Sequence, residues 1–467
     1  MTSFSIQNFG CRVNQAEAFE WAAVLQENGW ILTEHPEDGG MIIVNTCTLT
    51  ARADRDVRKF IRRAGREYPG SKLVVTGCLA ERSPATLARL PGVWKVVPNR
   101  DKARLPAAIM EAIGVVTPAD APGPSRFRAR AFLKVQDGCD RACAFCIIPA
   151  VRGRSVSVAL APAVGLVRRL AGQGYAEIVL TGIHLCSYGW DLAPRASLLE
   201  LLQALDAAPE PFAVRLSSLD PRLMPAPLVD HLVSSPKIRP HFHLSLQHAA
   251  PRRLEAMGRA STPAGYQSLL DRLGRGRSEA ALGADLIVGF PGETENEFDF
   301  LVDFVEKSPL TYLHVFAYSP RPGTAAGAPG YARGSGSAVL GRALNTRTSA
   351  AAGAPGFAWG SDSALDQASN TWSSAPAERR LAVDSSIKAR RAARLRAIGS
   401  RKDHEFRIRF QGRELDGIVI QPAAAGAEIL TSNGIAVTGA GCAPARGEAV
   451  RVRIIEAGDR RTRGEII

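Results

Sequence analysis

The sequence Val135-Gln-Asp-Gly-Cys-Asp-Arg-Ala-Cys-Ala-Phe-Cys-Ile-Ile-Pro149 contains three cysteines in a C-x3-C-x2-C pattern, Cys139, Cys143 and Cys146. Three thiolates on one short loop can bind three corners of a cubane iron–sulfur cluster and leave its fourth iron open. A zinc site and an incidental trio of buried cysteines are the alternatives. A structural zinc site needs a fourth ligand, and residues 109–176 contain no other Cys and no His. The spacing therefore favours an iron–sulfur cluster with an open iron.

The N-terminal part of the chain alternates apolar runs with helical patterns. Strands are predicted at 3–9, 41–44 and 72–76, with helices over 15–28 and 51–67 between them. This βαβαβ order predicts a parallel sheet with helices on its faces.

Three further cysteines follow these strands in turn: Cys11, Cys47 and Cys78. Any one of them alone is more often a buried apolar residue than a ligand. The carboxyl ends of parallel strands share one edge of the sheet, where ligands collect. We therefore expect the three thiols to meet there and to hold a second cluster with its own open iron.

The central part has six short apolar stretches separated by helical patterns such as 159–172 and 293–306. The predicted strands are 131–136, 177–181, 213–217, 241–247, 284–290 and 312–318. Six β/α units predict a partial parallel barrel, whose functional residues lie at the carboxyl ends of its strands. The C-x3-C-x2-C loop follows the first of these strands, so it belongs to that end.

The C-terminal third divides into three kinds of sequence. Residues 331–380 are rich in Ala, Gly and Ser without periodicity and predict a flexible insertion. Residues 384–398 predict a basic helix, either a solvated connector or a phosphate-contacting element. The remainder alternates in short runs and predicts a small antiparallel β barrel, a shape often used to hold RNA; the predicted strands include 405–410, 417–421, 428–430 and 449–455.

These patterns predict an α/β protein in five segments: a parallel-sheet domain, the partial (β/α)6 barrel, the insertion, the basic helix and the terminal barrel. Their predicted bounds, in that order, are 1–117, 125–327, 328–383, 384–401 and 402–467, with a Pro/Ala-rich linker at 118–125.

The formal net charge of +13 favours an anionic partner such as nucleic acid, although a basic solvated surface is the alternative. No run of about 20 apolar residues exists, which excludes a membrane-spanning helix. The N-terminus lacks the basic-then-apolar order of a signal peptide, so we expect a cytoplasmic protein. Eight cysteines in that compartment predict ligands or free thiols before disulfides.

Seven motifs are distributed along the chain: Phe-Gly-Cys-Arg-Val-Asn-Gln at 9–15, Val-Asn-Thr-Cys-Thr-Leu-Thr at 44–50, Val-Thr-Gly-Cys at 75–78, the loop at 139–149, His-Leu-Ser-Leu-Gln at 243–247, Gly-Ala-Asp-Leu-Ile-Val-Gly-Phe-Pro-Gly-Glu-Thr at 283–294 and Tyr-Ser-Pro-Arg-Pro-Gly-Thr at 318–324. Together they resemble those of the radical S-adenosylmethionine methylthiotransferases, most closely the bacterial tRNA threonylcarbamoyladenosine group. The resemblance covers almost the whole chain, including a terminal barrel similar to the RNA-binding TRAM module.

The resemblance implies two 4Fe-4S clusters and S-adenosylmethionine as cofactors. Cys139, Cys143 and Cys146 would hold the cluster that binds S-adenosylmethionine, while Cys11, Cys47 and Cys78 would hold the auxiliary cluster. No catalytic group beyond these ligands is expected. The further expected cofactor contacts are Phe145, Gly182, Asp285 and Gly289.

The implied reaction adds a methylthio group to C2 of N6-threonylcarbamoyladenosine beside the tRNA anticodon. The expected partners are the anticodon loop, an electron donor such as a flavodoxin or ferredoxin, and a sulfur donor. Arg390, Arg391 and Arg394 are the expected RNA contacts. Isopentenyl-modified adenosine and a ribosomal-protein aspartate are alternative substrates, and a non-catalytic iron–sulfur RNA-binding sensor is the alternative from another class. Cys186, Cys442 and His248 remain unassigned.

Overall fold

The computed structural model describes residues 2–37, 39–113, 128–328, 382–441, 444–459 and 461–467. The predicted linker, Cys442 and nearly all of the predicted insertion lie outside these residues.

The N-terminal domain is a parallel sheet of five strands with the order β2-β1-β3-β4-β5. Its strands are β1 Ser3–Asn8, β2 Ile31–Leu32, β3 Met41–Thr46, β4 Lys72–Gly77 and β5 Val93–Pro98. Its helices are α1 Arg12–Glu27, α2 Ala51–Glu67, α3 Cys78–Arg82, α4 Pro84–Ala88 and α5 Leu105–Ile113. Hydrophobic clusters cover both faces of the sheet, and every residue of β3 is buried, as expected for a central parallel strand.

The central domain is the predicted partial barrel. Its strands are β6 Ala131–Asp137, β7 Val156–Ser157, β8 Glu177–Gly182, β9 Ala213–Leu216, β10 His241–Gln247, β11 Ala281–Val288 and β12 Tyr312–Ala317. They form the sheets β7-β6-β8-β9 and β10-β11-β12, joined by isolated bridges at Val214–Ile238 and Leu219–Leu244. β7 is a short antiparallel edge strand, and the other six run parallel.

Helices separate these strands and cover the outside of the barrel, which places the carboxyl ends of the six parallel strands at one mouth. They are α6 Ile148–Arg152, α7 Leu160–Gly172, α8 Leu198–Asp206, α9 Ala226–Ser234, α10 Pro251–Ala256, α11 Pro263–Gly276 and α12 Glu295–Lys307.

A long basic helix, α13 Ser385–Ile408, follows the insertion. The predicted end of this helix at residue 401 and the predicted strand at 405–410 are wrong, because the helix continues through most of that segment. Two ion pairs with helical spacing support it, Arg401 with Glu405 at 2.9 Å and Arg407 with Asp403 at 2.8 Å. Phe406 and Phe410 are four residues apart, and their rings pack edge to face with centroids 5.0 Å apart.

The C-terminal segment forms a closed barrel with the strand order β13-β14-β15-β17-β16. The strands are β13 Glu414–Ala423, β14 Gly426–Thr431, β15 Ala436–Ala440, β16 Ala449–Ala457 and β17 Thr462–Ile466. The predicted small barrel is confirmed, with one parallel pair, β15–β17, among its antiparallel neighbours.

The turn after β14 covers the amino ends of the central strands. Arg215 in β9 donates hydrogen bonds to the carbonyls of Thr431 at 3.0 Å and Ser432 at 3.1 Å. Asn433 donates to the carbonyl of Glu279, just before β11, at 3.3 Å. The terminal barrel therefore lies at the end of the central barrel opposite the cysteine loop. Within the described ranges, no helix is both long and apolar enough to cross a membrane.

Candidate functional site

Cys11, Cys47 and Cys78 lie along one edge of the N-terminal sheet. They follow β1, β3 and β4, which are neighbouring strands with a common direction. Burial raises the pKa of the Cys47 thiol to about 12, and negative charge on Cys78 and Cys11 acts in the same direction. The three cysteines therefore follow adjacent strands at the carboxyl edge of the sheet, which is the edge predicted for them.

The backbone around this trio is shaped for close approach. Gly77, immediately before Cys78, has φ +94°, and a Cβ there would lie 2.5 Å from the carbonyl oxygen of Thr46. Asn14 in α1 donates to Asn45 Oδ1 at 2.8 Å and to the Thr46 carbonyl at 3.1 Å. Only glycine fits the turn that brings Cys78 beside the end of β3.

Cys139, Cys143 and Cys146 lie on a loop after β6 at the mouth of the central barrel. The Cys139 amide donates to the Gly153 carbonyl at 3.1 Å, and the Cys146 amide donates to the Cys143 carbonyl at 3.0 Å. Burial raises the pKa of the Cys146 thiol to about 12, with Cys143 and Cys139 adding to the effect. These three cysteines are therefore held on one loop that is closed by backbone hydrogen bonds.

The two trios lie beside each other. Cys78 is part of a hydrophobic cluster with Ile147, Ile148 and Val151, and Cys139 and Cys146 pack against that cluster. The sheet edge of the N-terminal domain therefore faces the cysteine loop of the barrel, and both trios belong to one region of the molecule.

Arg152, at the end of α6, contacts the cysteine trio of the N-terminal domain from the side of the barrel. Its side chain is fully buried and donates through Nε to Cys78 Sγ at 3.3 Å. The other guanidinium nitrogens donate to Glu17 and Asp137, both at 2.9 Å, and to Asn14 at 2.9 Å. Arg152, which follows the Cys139 loop in the sequence, thus contacts a thiol of the trio formed by Cys11, Cys47 and Cys78.

The charges around Arg152 suit an anionic cofactor. Lys102 and Lys134 contact the same two carboxylates, so three cations surround Glu17 and Asp137. Burial acts to raise the pKa of Glu17, but the cations prevail and lower it to about 2. One positive charge remains in excess beside Cys78. A cubane cluster held by three thiolates carries net negative charge and fits this surplus.

Three of the residues expected to contact the cofactor lie around the same barrel mouth. Phe145 is half-buried against a cluster that includes Ile287. Gly182 ends β8 and donates to Ser217 Oγ at 3.3 Å. Gly289 follows β11 with φ +72°, and its amide donates to Glu293.

Asp285, the fourth expected contact, lies further inside the barrel, where sequence reasoning missed its partners. Its Oδ1 is 2.9 Å from His243 Nε2 and 3.5 Å from His314 Nδ1, and His243 Nδ1 is 3.0 Å from the Tyr312 hydroxyl. These four residues form a polar wall on β10, β11 and β12. The signal for it is strand alternation, because residues 312 and 314 share a face of β12.

Two of the unassigned residues, His248 and Cys186, have structural partners. His248 is fully buried, with Nε2 3.0 Å from Glu293 Oε1 and Nδ1 accepting from the Ala250 amide at 3.0 Å. Cys186 is buried and accepts a hydrogen bond from the Asp220 amide at 3.2 Å. Their contacts are internal to the barrel.

The arginines expected to contact RNA differ in accessibility. Arg391 is buried and forms ion pairs with Glu293 and Glu295, both at 2.7 Å. Arg390 and Arg394 retain 66% and 52% of their side-chain exposure. The latter two are accessible to an external phosphate, whereas Arg391 fixes α13 to the barrel.

A partial parallel barrel with three cysteines on the loop after its first strand defines a radical S-adenosylmethionine enzyme. Residues 133–305 match the family described as the radical SAM superfamily, and residues 3–98 match the family described as uncharacterized protein family UPF0004.

Similar proteins include methylthiotransferases of two kinds. The threonylcarbamoyladenosine tRNA methylthiotransferase MtaB of Aquifex aeolicus is 36% identical over 336 residues, which cover 69% of this chain and 82% of that protein. MtaB of Bacillus subtilis is 34% identical, covering 70% and 75%. The ribosomal protein uS12 methylthiotransferase RimO of Carboxydothermus hydrogenoformans is 31% identical, covering 69% and 76%.

The chain belongs to the radical S-adenosylmethionine methylthiotransferase family. It is therefore an enzyme that uses a 4Fe-4S cluster and S-adenosylmethionine. Among solved structures, the radical S-adenosylmethionine methyltransferase TsrM from Kitasatospora setae shares the fold, with a TM-score of 0.51 at 17% identity over 70% of this chain and 77% of that one.

Proposed function

We propose that this enzyme adds a methylthio group to C2 of N6-threonylcarbamoyladenosine beside the anticodon of tRNA. The observation that carries the proposal is that Cys78 of one trio and Cys139 and Cys146 of the other meet at one hydrophobic cluster, beside Arg152, which donates to Cys78. The similarity to MtaB proteins from Aquifex aeolicus and Bacillus subtilis supports the choice of nucleoside.

The reaction requires a radical because the C2–H bond of adenine is strong and not acidic. A positioned general base works near its own pKa and does not remove such a hydrogen. The bound cofactors supply the radical and the sulfur, and the protein supplies binding and orientation. The chain has no other group suited to this step in the described site.

Each trio has its own task in the proposal. Cys139, Cys143 and Cys146 would hold the cluster that binds S-adenosylmethionine. Cys11, Cys47 and Cys78 would hold a second, auxiliary 4Fe-4S cluster, which would supply the sulfur. The proposed contacts to S-adenosylmethionine come from residues at the barrel mouth and inside it, Phe145, Gly182, Asp285 and Gly289.

The surface around the mouth suits an anticodon loop. The amide of Ala51, at the start of α2, donates to Ser319 Oγ of the barrel at 3.1 Å, which places this helix beside the mouth. Its exposed face carries six basic residues: Arg52, Arg55, Lys59, Arg62, Arg63 and Arg66. With Arg390 and Arg394, these side chains would contact phosphates near the mouth, and the terminal barrel would contact RNA at the other end of the central barrel. The partners also include an electron donor such as a flavodoxin or ferredoxin, and a sulfur donor.

The test is anaerobic reconstitution with three candidate substrates in separate reactions. They are anticodon stem-loop RNAs containing threonylcarbamoyladenosine or isopentenyladenosine, and a ribosomal-protein peptide containing the target aspartate. The proposal predicts a methylthio product from the threonylcarbamoyladenosine RNA, identified by mass spectrometry of its nucleosides. Product from the isopentenyl RNA instead would contradict it.

The RimO relative at 31% identity makes the peptide the second candidate. A product from the peptide alone would establish that function in place of the proposed one. No product of any kind, together with RNA binding and no cleavage of S-adenosylmethionine, would indicate a non-catalytic sensor.

A further inference from the structure

Arg12 extends from the auxiliary cysteine trio into the central barrel. It is the first residue of α1 and follows Cys11 directly. Its NH1 donates to the carbonyl of Leu216, the last residue of β9, at 2.8 Å. Ala16 and Phe19 of the same helix belong to the hydrophobic cluster of the barrel. The guanidinium therefore lies between the second trio and the barrel interior.

The interior around Arg12 has more cations than anions. The carboxylate of Glu177 is already shared by Arg130 at 3.2 Å, Arg215 at 2.7 Å and Arg239 at 3.1 Å. Arg12 forms no ion pair with a described carboxylate, and its one described hydrogen bond is to a neutral carbonyl. A partly desolvated guanidinium with N–H donors that have no described acceptor favours an anionic ligand.

The polar wall does not neutralise this charge. The Asp285 carboxylate is engaged by His243 and His314, and the pKa of Asp285 is lowered by these two histidines despite its burial. His314 keeps 53% of its side-chain exposure. The wall thus offers hydrogen-bonding groups to the uncharged parts of a substrate and forms no ion pair with Arg12 among the described residues.

We infer that Arg12 binds the carboxylate at the end of the substrate's threonylcarbamoyl group and so selects a carboxylate-bearing adenosine. This inference rests on the proposed function. An isopentenyl group has no charge and would leave the partly buried guanidinium without an anion. The position of Arg12 next to Cys11 would hold the N6 substituent close to the auxiliary cluster, on the side where the sulfur is carried.

The test compares two stem-loop RNAs that differ at one group. One contains threonylcarbamoyladenosine, and in the other the threonyl carboxylate is replaced by a neutral carboxamide. The measured quantity is the ratio of kcat/KM for the two RNAs with one reconstituted enzyme preparation. Because both reactions use the same preparation, the ratio does not depend on the fraction of molecules that hold clusters.

The wild-type enzyme is expected to prefer the carboxylate by roughly 100-fold, since an unpaired buried charge costs several kcal/mol. In Arg12→Met the preference falls to about one, because the cation is gone. Arg12→Lys keeps the charge but loses the planar guanidinium with its paired N–H donors, so an intermediate preference of about tenfold is expected. Arg275→Met, which removes an 85% exposed arginine on α11, serves as the matched control and keeps the wild-type ratio.

Two results would overturn the inference. An Arg12→Met enzyme that still prefers the carboxylate as strongly as the wild type would refute the role of Arg12 alone, with the proposed function intact. A wild-type enzyme that modifies an isopentenyladenosine RNA and neither of the other two would refute the proposed function and the inference together.

Discussion

Arg152 shows how a single side chain couples two sites that are separate in sequence. It follows the loop of Cys139, yet it donates to the sulfur of Cys78, 74 residues earlier in the chain. Hydrogen bonds and positive charge at a cluster sulfur stabilise the reduced state and raise the reduction potential. Arg152 therefore positions α6 against the N-terminal domain, and it would raise the reduction potential of a cluster held by Cys78.

Replacing Arg152 by Met is expected to lower the reduction potential of the auxiliary cluster, because both the hydrogen bond and the cation are lost. The measurement is a redox titration followed by electron paramagnetic resonance. Arg154→Met is the matched control, because Arg154 is 91% exposed and pairs only with Asp140 among the described residues. An unchanged auxiliary potential in Arg152→Met would contradict this role.

Alanine at Cys143 and alanine at Cys47 are expected to have different consequences. Cys143→Ala removes a ligand of the S-adenosylmethionine site and should abolish 5′-deoxyadenosine formation and methylthio product alike. Cys47→Ala should retain 5′-deoxyadenosine formation and lose the methylthio product, because the auxiliary cluster proposed to carry the sulfur loses a ligand. Both products are quantified by mass spectrometry. Loss of both activities in a folded Cys47→Ala protein would argue against separate tasks for the two trios.

Sequence alone predicted the six cysteines but neither arginine that connects them to the barrel. The spacing of cysteines within one loop, and their positions after successive strands, can be seen in the sequence. Their location on one loop and at one sheet edge can therefore be predicted from it. Arg12 and Arg152 act through partners in another domain, Leu216 and Cys78. Such contacts depend on how domains dock, which no periodicity in the sequence records.

At the scale of elements, the bounds of helices and strands were predicted accurately where the hydrophobic pattern is strong and poorly where it is weak. The helix over 51–67 and the strand over 241–247 lie where they were predicted. β2 and β5 were missed, since β2 has two residues and β5 is a partly exposed edge strand. β11 begins three residues before its predicted start, because small residues there are held in the sheet by tertiary pairing rather than by propensity.

α13 attaches the terminal barrel through Phe406, and this contact predicts a stability effect. Phe406 is 4% exposed and packs with Phe410, Val419 and Ala281, so it joins helix, terminal barrel and β11. Phe406→Ala should lower the free energy of unfolding by about 3 kcal/mol. Ile408→Ala, at a side chain 45% exposed, should change it by less than about 1 kcal/mol. Chemical denaturation measures both, and equal effects would contradict the packing role of Phe406.

The basic face of α2 predicts a salt-dependent contribution to RNA binding. Arg55 and Arg62 are exposed, and replacing both with Gln removes two cations without touching the buried face of the helix. The affinity for tRNA should fall, and the slope of log affinity against log salt should become shallower by about 2. Filter binding over a salt series measures it, with Arg275→Gln as the control. An unchanged slope would show that this face does not contact phosphates.

At the scale of the whole molecule, the proximity of the two cysteine trios depends on docking of the N-terminal domain onto the central barrel. Arg321 of the barrel is buried and donates to Thr48 at 2.7 Å and to Asp54 at 2.5 Å. Asp54 also pairs with Arg82 at 3.0 Å within the N-terminal domain. These bonds tie the segment after Cys47 to the segment after β12, and so hold the sheet edge over the barrel mouth.

The central claim is that two trios of thiolates each hold a cluster, and an iron count tests it most directly. After anaerobic purification and reconstitution, the account predicts about eight irons and eight sulfides per wild-type chain. Replacing Cys11, Cys47 and Cys78 together by Ala should leave about four irons, those of the cluster that binds S-adenosylmethionine. Replacing Cys139, Cys143 and Cys146 together by Ala should also leave about four irons, those of the auxiliary cluster. A wild-type count of about four, or a first triple variant that keeps all of its iron, would contradict the account.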